Sequence, residues 1–344
     1  MERVFDELAS QWLEKKKSEV TPQVLNRYIN NLNYYLLPAL GSARLEDITE
    51  ERITEVVEDL TEKQGLKRNT ALVVASQLKQ ILLYGGIPCP VFPSPKLNEV
   101  KPLAVSDEER LKEYLLTPQP VPKSKKSKKK DDGADGEALA IPFPNIGILL
   151  SLCMGLKLGE ICALTWGDIH LEEEIPYISV NKTMQRIQKK ALPEDSSNLD
   201  GGVVLDRKNR LKSSAKTELL ILPISFGSAI RDIPIPDFLV SVLCDAHQRV
   251  IESVIDDAFF LTGTKWTWME PRILEKKYKE ALKTLAMSVV KFDNLRDSCA
   301  TRMLDRGIDV KIVSEILGHA NPAITLKRYN RPASTLAEKK RAFD

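Results

Sequence analysis

The sequence predicts a chain of two domains that is mainly α-helical and carries a small antiparallel β-sheet. Its 344 residues exceed the usual size of one domain, and each half is long enough to bury its own core. Apolar residues recur at helical spacing along most of the chain, whereas alternating and β-branched runs are confined to one stretch of the second half. We expect domains at 1–90 and 104–344, joined by a proline-rich linker at 91–103.

The first ninety residues predict a compact bundle of short helices. Thr21 followed by Pro22 is typical of an N-cap with proline in the first helical turn, and Thr49 begins a third helix with one apolar stripe. A fourth helix is expected after Gly65. Together these signals indicate a compact helical domain.

The second domain is expected to begin at a capping box formed by Ser106 and Glu109. Its strands are predicted at 177–180, 219–223 and 229–235, with Phe226 and Gly227 in a hairpin turn. Its later helices are predicted at 237–254, 271–288, 295–304 and 310–317, the last of them capped by Gly318. This domain is therefore helical with a small sheet.

Composition limits the class of protein without naming its partner. Hydrophobic residues make up 43% and charged residues 28% of the chain, and the net charge is only +2, so the global balance neither indicates nor excludes nucleic acid. A lysine-rich stretch within 118–140 predicts a flexible surface insertion. Five scattered cysteines, an amphipathic start and no long apolar run predict a cytoplasmic protein without a membrane span.

The segment from 292 to 331 combines three residues that carry chemistry. Arg296 begins one predicted helix, His319 follows the glycine that ends the next, and Tyr329 lies ten residues further on. A tyrosine hydroxyl is a weak nucleophile at neutral pH, and guanidinium groups supply a positive field that strengthens as charge builds on a phosphate. Each residue alone suits a salt bridge, a cap or a half-buried aromatic, but together they predict a phosphate-handling site.

This segment resembles the second signature box of the tyrosine recombinases, or phage integrases, in Leu295-Arg296, in residues 300–304, in Leu317-Gly318-His319 and in Tyr329 as the nucleophile. Residues 154–169 are similar to the first box, and the helical N-terminal domain resembles the SAM-like core-binding domain of the family. The resemblance covers nearly the whole chain. Within the family, the sequence looks most like integrases of conjugative transposons, without the small N-terminal arm-binding domain that those integrases carry.

The resemblance implies a tyrosine recombinase catalytic domain acting in site-specific DNA recombination or integration through a 3′-phosphotyrosyl intermediate, with no nucleotide or metal cofactor. It implies double-stranded DNA as partner, a tetramer on two DNA sites and an accessory DNA-bending or directionality protein. The candidates for phosphate contacts in the first domain are Lys67, Arg68, Asn69 and Lys79.

Three positions depart from the family pattern. Lys157 replaces the first-box arginine and keeps the charge without the bidentate fork. Ile224 lies at or beside the hairpin lysine and cannot protonate a leaving oxygen, unless Lys216 or a loop lysine substitutes. Asp293 replaces a histidine and brings negative charge, or a base, toward the phosphate. The catalytic set expected from the resemblance is thus Tyr329, Arg296, His319, Lys157 and Asp293.

Two other functions stay open at this stage. A DNA-binding regulator or accessory subunit would keep the fold and lose efficient cleavage, as the three departures favour. A type IB topoisomerase would use similar groups without assembly. Residues 334–343 discriminate between assembly and a monomer if they form a short helix that docks on a neighbouring protomer.

Overall fold

The computed structural model describes residues 4–93, 100–120, 139–192, 202–205, 216–224, 229–250 and 255–329. The chain divides into two compact units. The first consists of Met1–Asn98, Arg186–Leu199 and Val204–Leu219, and the second of Glu99–Gln185, Asp200–Val203 and Leu220–Asp344. Two segments that the sequence assigns to the second domain thus group with the first unit. Most of the lysine-rich stretch, at 121–138, and the tail at 334–343 lie outside the described residues.

The described helices of the first unit are α1 Phe5–Glu19, α2 Pro22–Asn31, α3 Leu37–Leu40, α4 Glu50–Glu62 and α5 Arg68–Tyr84. A π-helical turn, Leu32–Leu36, joins α2 to α3. The start signal at Thr49 is confirmed, because its hydroxyl accepts a hydrogen bond from the Arg52 amide at 3.3 Å. Thr21 does precede α2, but its side chain makes no capping hydrogen bond.

The first unit is held by a core of apolar side chains and one buried polar pair. Phe5, Trp12 and Leu36 are almost fully buried. Asn31 donates to Gln77 Oε1 at 2.9 Å, and the Gln77 amide donates to the Tyr28 carbonyl at 3.0 Å. These bonds satisfy polar groups that would otherwise be costly to bury, and they fix α5 against α2.

The described helices of the second unit are α6 Val105–Leu116, α7 Phe143–Met154, α8 Leu158–Ala163, α9 Asp237–His247, α10 Pro271–Thr284, α11 Asp293–Asp305, α12 Val310–Leu317 and α13 Pro322–Arg328. The bounds predicted for α12 are confirmed, as is Gly318 as its left-handed cap with φ of 65°. The capping box at Ser106 was wrong: α6 begins at Val105, with Ala104 as its N-cap and no side-chain cap.

Helix α7 is the central element of the second unit. Ile148, Leu149 and Leu150 are fully buried although they are successive residues, so the helix is covered on every side. It packs against α6, α8, α10 and α11. No helix of the described segments is both long and apolar enough to cross a membrane.

The described strands are β1 Gln119–Pro120, β2 Leu139–Ala140, β3 Ile169–His170, β4 Tyr177–Val180, β5 Lys182–Gln188, β6 Val203–Val204, β7 Thr217–Pro223 and β8 Arg231–Pro234. They form three small sheets, ordered β1-β2, β3-β4-β8 and β5-β7-β6. In the second sheet β4 is antiparallel to both neighbours, with Ile178 opposite Ile169 and Ile233.

The hairpin predicted between 219–223 and 229–235 was wrong, because β7 and β8 belong to different sheets. Strands β4 and β5 follow one another across Asn181 and pair with β8 and β7 respectively. The Ile224 amide donates to the Asn181 carbonyl at 2.9 Å. Strands β7 and β8 therefore pair with β5 and β4 in two different sheets, and residues 225–228 lie outside the described part of the chain.

We expect Gly318→Ala to destabilise the protein more than Gly307→Ala, as measured by urea unfolding. Both glycines have positive φ, 65° and 77°, which costs an L-residue about 1–2 kcal/mol. A Cβ at Gly307 would meet no atom within 4 Å, whereas at Gly318 it would lie 2.9 Å from Arg231 Nη1 and 3.2 Å from the Ala229 backbone. Equal losses at the two positions would contradict a tight contact between Gly318 and Arg231.

Candidate active site

The guanidinium of Arg296 is buried at the end of two helices. This residue is 7% exposed on α11, and its two Nη groups donate to the carbonyls of Gly155 and Leu317, each at 2.5 Å. Gly155 ends α7 with φ of 73°, and a Cβ there would lie 2.8 Å from Leu317 Cδ2. The close approach of these two chain segments therefore depends on glycine.

A buried carboxylate, Glu160, joins two further cations. Arg231 donates to both of its oxygens, at 3.2 and 2.9 Å, and Lys157 Nζ lies 3.3 Å from Oε1. Burial alone would raise the pKa of Glu160, but the charge and hydrogen bonds of Arg231, assisted by Lys157, hold it at about 2. Glu160 is therefore an anion at neutral pH, with each oxygen in a charge-assisted contact.

Arg231 also fixes the end of α12. Its Nε donates to the Ile316 carbonyl at 2.7 Å, and its Nη1 donates to the Ala229 carbonyl at 2.9 Å. The side chain is only 6% exposed, so its hydrogen bonds to protein replace those to water. Through Arg231, the start of α8 at Glu160 is tied to the helix end that precedes His319.

His319 lies at this end, just after the left-handed Gly318. Its Nδ1 is 2.7 Å from the hydroxyl of Thr325, a fully buried residue of α13. Burial, followed by the positive charges of Arg296 and Lys157, lowers the pKa of His319 to about 4. The imidazole is therefore neutral at physiological pH, and with Nδ1 paired to Thr325 its Nε2 is the nitrogen that can bind a ligand.

Tyr329 follows the last residue of α13 and is 8% exposed. Its hydroxyl donates to Asp297 Oδ1 at 2.9 Å, and Arg328 donates to the same oxygen from Nε at 3.2 Å and from Nη2 at 2.9 Å. Burial and the negative charge of Asp297 raise the pKa of Tyr329 to about 12, against the opposing charges of Arg328 and Arg296. The hydroxyl is thus protonated at rest.

Arg296, His319, Lys157 and Tyr329 belong to one cluster. Arg296 bonds the Leu317 carbonyl two residues before His319, and Tyr329 bonds Asp297, the residue after Arg296. Lys157 shares Glu160 with Arg231, whose Nε bonds the Ile316 carbonyl near the same helix end. Asp293, the fifth expected residue, is the exposed first residue of α11, and the described residues provide no hydrogen bond or ion pair to its side chain.

The two positions considered for the proton-donating lysine flank β7. Ile224 follows the strand and is half-buried, and Lys216 precedes it and is exposed.

The candidates for phosphate contacts lie in the first unit, on α5. Lys67 is the N-cap and Arg68 the first residue of this helix, and both are exposed. Asn69 and Lys79 are half-buried.

Four residues of this cluster were missed by sequence reasoning: Glu160, Arg231, Asp297 and Arg328. Asp297 and Arg328 directly adjoin Arg296 and Tyr329, and Glu160 lies three residues after Lys157. Their nearness in sequence to the predicted site residues was a signal for three of them, but only the fold shows that Glu160 pairs with Arg231 and Asp297 with Arg328. The four cations Lys157, Arg231, Arg296 and Arg328 face two carboxylates, so the cluster carries net positive charge suited to a phosphate.

We expect the stability difference between the wild type and Glu160→Gln to shrink as pH falls from 7 to 3, as measured by denaturant unfolding at each pH. The pKa of Glu160 is lowered in the folded protein, so its stabilising effect is present above the ordinary pKa near 4.5 and is lost as pH falls toward about 2. At pH 7 the lowered pKa corresponds to about 3 kcal/mol of folding stability, because each unit between about 4.5 and about 2 is worth 1.36 kcal/mol.

Glu275, a partly exposed residue that pairs with Lys279 on α10, offers a matched control. Glu275→Gln should change stability little at any pH. A difference for Glu160→Gln that stays constant between pH 7 and pH 3 would contradict the coupling to Arg231.

Comparison with known proteins places both halves of the chain. Residues 5–87 match the model of the phage integrase central domain, and residues 207–335, which include Arg296, His319 and Tyr329, match that of the phage integrase family.

A XerC-like tyrosine recombinase of Caldanaerobacter subterraneus subsp. tengcongensis is 27% identical over 191 residues, which are 53% of this chain and 44% of that protein. The tyrosine recombinase XerA of Thermococcus onnurineus is 30% identical over 129 residues, 34% of this chain and 42% of that protein. The matches thus span less than half of these curated relatives.

Solved structures show the same fold. The Tn1549 transposon integrase in complex with a circular intermediate DNA has a TM-score of 0.68 at 15% identity, covering 99% of this chain and 98% of that one. A λ integrase tetramer bound to a Holliday junction has a TM-score of 0.53 at 14% identity, covering 92% of this chain and 77% of that one. The family inferred from the signature boxes is confirmed: this chain belongs to the tyrosine recombinases of the phage integrase family.

Proposed function

We propose that this protein is a site-specific DNA recombinase or integrase that breaks and rejoins strands through a 3′-phosphotyrosyl link at Tyr329. Members of its family are tyrosine-type DNA strand transferases. The observation that carries the proposal is the convergence of Tyr329, Arg296, His319 and Lys157 in one cluster of net positive charge. Such a cluster binds a phosphodiester and stabilises the charge that develops on it.

Arg296 has the geometry of a preorganised phosphate ligand. A guanidinium has five N–H donors, and its bonds to Gly155 and Leu317 fix the group while leaving other donors for phosphate oxygens. Neutral His319 adds a hydrogen bond without adding charge. These donors therefore need little rearrangement, and cost little free energy to reorganise, when negative charge builds on the phosphate in the transition state.

Lys157 supplies a second positive charge, but as an ammonium where the family pattern has a guanidinium. Its side chain is 46% exposed and its ammonium pairs with buried Glu160. The ammonium would therefore reach both solvent and a bound phosphate. An ammonium is a compact and strongly hydrated charge that cannot form the paired contact of a fork. Substrate binding is thus better supported than transition-state positioning.

The leaving 5′ oxygen lacks a donor at the expected place. Ile224 provides no proton, and loss of a general acid typically costs about two to four powers of ten in rate. Exposed Asp293 adds a negative charge at the start of the helix that carries Arg296. These two residues favour weakened strand cleavage, and they support a second candidate function, a DNA-binding regulator of a recombination system.

The proposed partners are duplex DNA and further copies of this chain. The related Tn1549 integrase binds a circular intermediate DNA, and λ integrase assembles as a tetramer on a Holliday junction. We extend this to a mobile-element recombinase that works as a tetramer on two DNA sites, assisted by an accessory bending or directionality protein. The exposed Lys67 and Arg68, with Asn69 and Lys79, would add phosphate contacts from the first unit.

We expect a covalent protein–DNA complex to form through Tyr329 on a nicked suicide duplex. The duplex would be recovered by binding from a pool of randomised sequences, and the complex would be detected by denaturing gel and peptide mapping. Tyr329→Phe should bind the same duplex with unchanged affinity and form no complex. Binding by the wild type without any complex would favour the regulator, and failure to bind any duplex would exclude both functions.

We further expect Lys157→Arg, Ile224→Lys and Asp293→His in combination to raise the single-turnover cleavage rate at least tenfold. The three changes restore a bidentate phosphate ligand, a proton donor and a neutral group. Lys276→Arg, an exposed change of the same kind on α10, is the matched control and should leave the rate unchanged. A triple variant no faster than the wild type would show that these positions do not limit the reaction.

A further inference from the structure

We infer that Asp297 is the general base of the reaction: its carboxylate accepts the proton of Tyr329 while the tyrosine oxygen attacks phosphorus. This inference rests on the proposed function and adds a catalytic residue to it. Asp297 follows Arg296 on α11, so one helix would present both the group that binds the phosphate and the group that activates the nucleophile.

The distance between the two groups suits proton transfer. The Tyr329 hydroxyl donates to Asp297 Oδ1 at 2.9 Å, within the range of about 2.6–3.2 Å expected for a base and its proton. Both residues are buried, Asp297 at 4% and Tyr329 at 8% exposed. Water therefore competes little for the proton at rest, and the hydrogen bond is directed rather than averaged over solvent.

Among the described residues, no other candidate for the base bonds the Tyr329 hydroxyl. His319 uses Nδ1 to bind Thr325. Lys157 is paired with Glu160, and as an ammonium it has no lone pair to accept a proton. Asp293, which the sequence offered as a possible base, is exposed, and within the described residues its side chain makes no hydrogen bond to Tyr329.

Arg328 orients the proposed base. Its Nε and Nη2 both donate to Oδ1, the oxygen that also accepts from Tyr329. The charged and titratable groups that act on this pair are thus Arg328 beside Tyr329 and Arg296 on the helix of Asp297. A nucleophile, a base and a group that holds the base form the arrangement by which enzymes activate weak hydroxyl nucleophiles.

The step balances without an added cofactor. The Tyr329 O–H bond breaks and its proton passes to Asp297 Oδ1, while a bond forms between the tyrosine oxygen and phosphorus. The bond from phosphorus to the 5′ oxygen breaks, and this oxygen takes a proton from water. In rejoining, the 5′ hydroxyl attacks phosphorus and gives its proton to water, while protonated Asp297 returns its proton to the departing tyrosine oxygen.

The same contact has an opposite interpretation that experiment separates. A carboxylate beside a phenol also opposes formation of the phenolate, so Asp297 could restrain Tyr329 until DNA binds. Asp297→Asn keeps the shape and an acceptor oxygen but removes the base and the charge. It slows cleavage if Asp297 is the base and accelerates cleavage if Asp297 is a restraint.

The test is single-turnover cleavage of the selected suicide duplex, with sulfur replacing the 5′ bridging oxygen at the mapped scissile phosphate. Sulfur leaves without a proton donor, so the rate reports activation of the nucleophile. We expect Asp297→Asn to cleave at least a hundredfold more slowly, although it still unfolds cooperatively and binds DNA at least as tightly as the wild type. Its rate should also lose the acid limb of the wild-type pH profile and rise with hydroxide concentration. Glu275→Gln should match the wild type.

A second variant guards against a purely structural loss. Asp297→Ala should be slow alone and should regain part of its rate when formate, but not chloride, is added, because formate can occupy the vacated space as a base. Asp297→Asn as fast as or faster than the wild type would overturn the inference while leaving the proposed function intact. A slow variant with an unchanged pH profile and no formate rescue would also overturn it. A wild type that binds its duplex but never cleaves it would overturn the proposed function, and this inference with it.

Discussion

The buried guanidinium of Arg296 is the contact on which the site depends. It ties two helix ends together. Its Nη groups donate to the carbonyl of Gly155, which follows α7, and to that of Leu317, the last residue of α12. Helix C-termini carry partial negative charge and unpaired carbonyls, and one cation satisfies both at once. Each end closes with a glycine at positive φ, Gly155 or Gly318, which leaves the space that the guanidinium and its neighbours require.

A second buried pair, Glu160 with Arg231, sets the electrostatic balance around this contact. Breaking such a pair leaves an uncompensated charge in a place that water reaches poorly, so both residues constrain the fold as well as the site. Glu160 neutralises Arg231 and also contacts the ammonium of Lys157, while Asp297 neutralises Arg328. Arg296 then keeps its charge unpaired by any carboxylate among the described residues. The positive field is therefore concentrated where the sequence motif predicts a phosphate.

The sequence predicted local features well where one residue decides them. Gly318 ends α12 because only a left-handed residue closes that turn without strain, and Thr49 caps α4 through a bond to the nearby amide of Arg52. It failed where distant strands choose their partners. Nothing in residues 219–235 alone indicates that β7 pairs with β5 and β8 with β4, because strand pairing depends on residues 177–188.

The candidate site shows the same division. Arg296, His319 and Tyr329 were predictable because their family spacing is local and specific. The contact of Tyr329 with Asp297 joins residues 32 positions apart, and it forms because the end of α13 lies beside Asp297, where Arg328 also bonds this carboxylate. The sequence instead pointed to Asp293, which lies one helical turn before Asp297 and is exposed. A shift of four positions along one helix thus separates a solvated carboxylate from one that touches the nucleophile.

Under the proposed function, the site binds the phosphate well through its cations but lacks a group that protonates the leaving 5′ oxygen efficiently. The group that donates this proton during cleavage must remove it during rejoining, so an apolar residue at Ile224 slows both directions by the same factor. The equilibrium between intact and covalently held DNA is then unchanged, while each state lasts longer. Slow exchange of this kind suits a recombinase whose intermediate must persist until a second DNA site is bound, and it separates weak turnover from weak DNA binding.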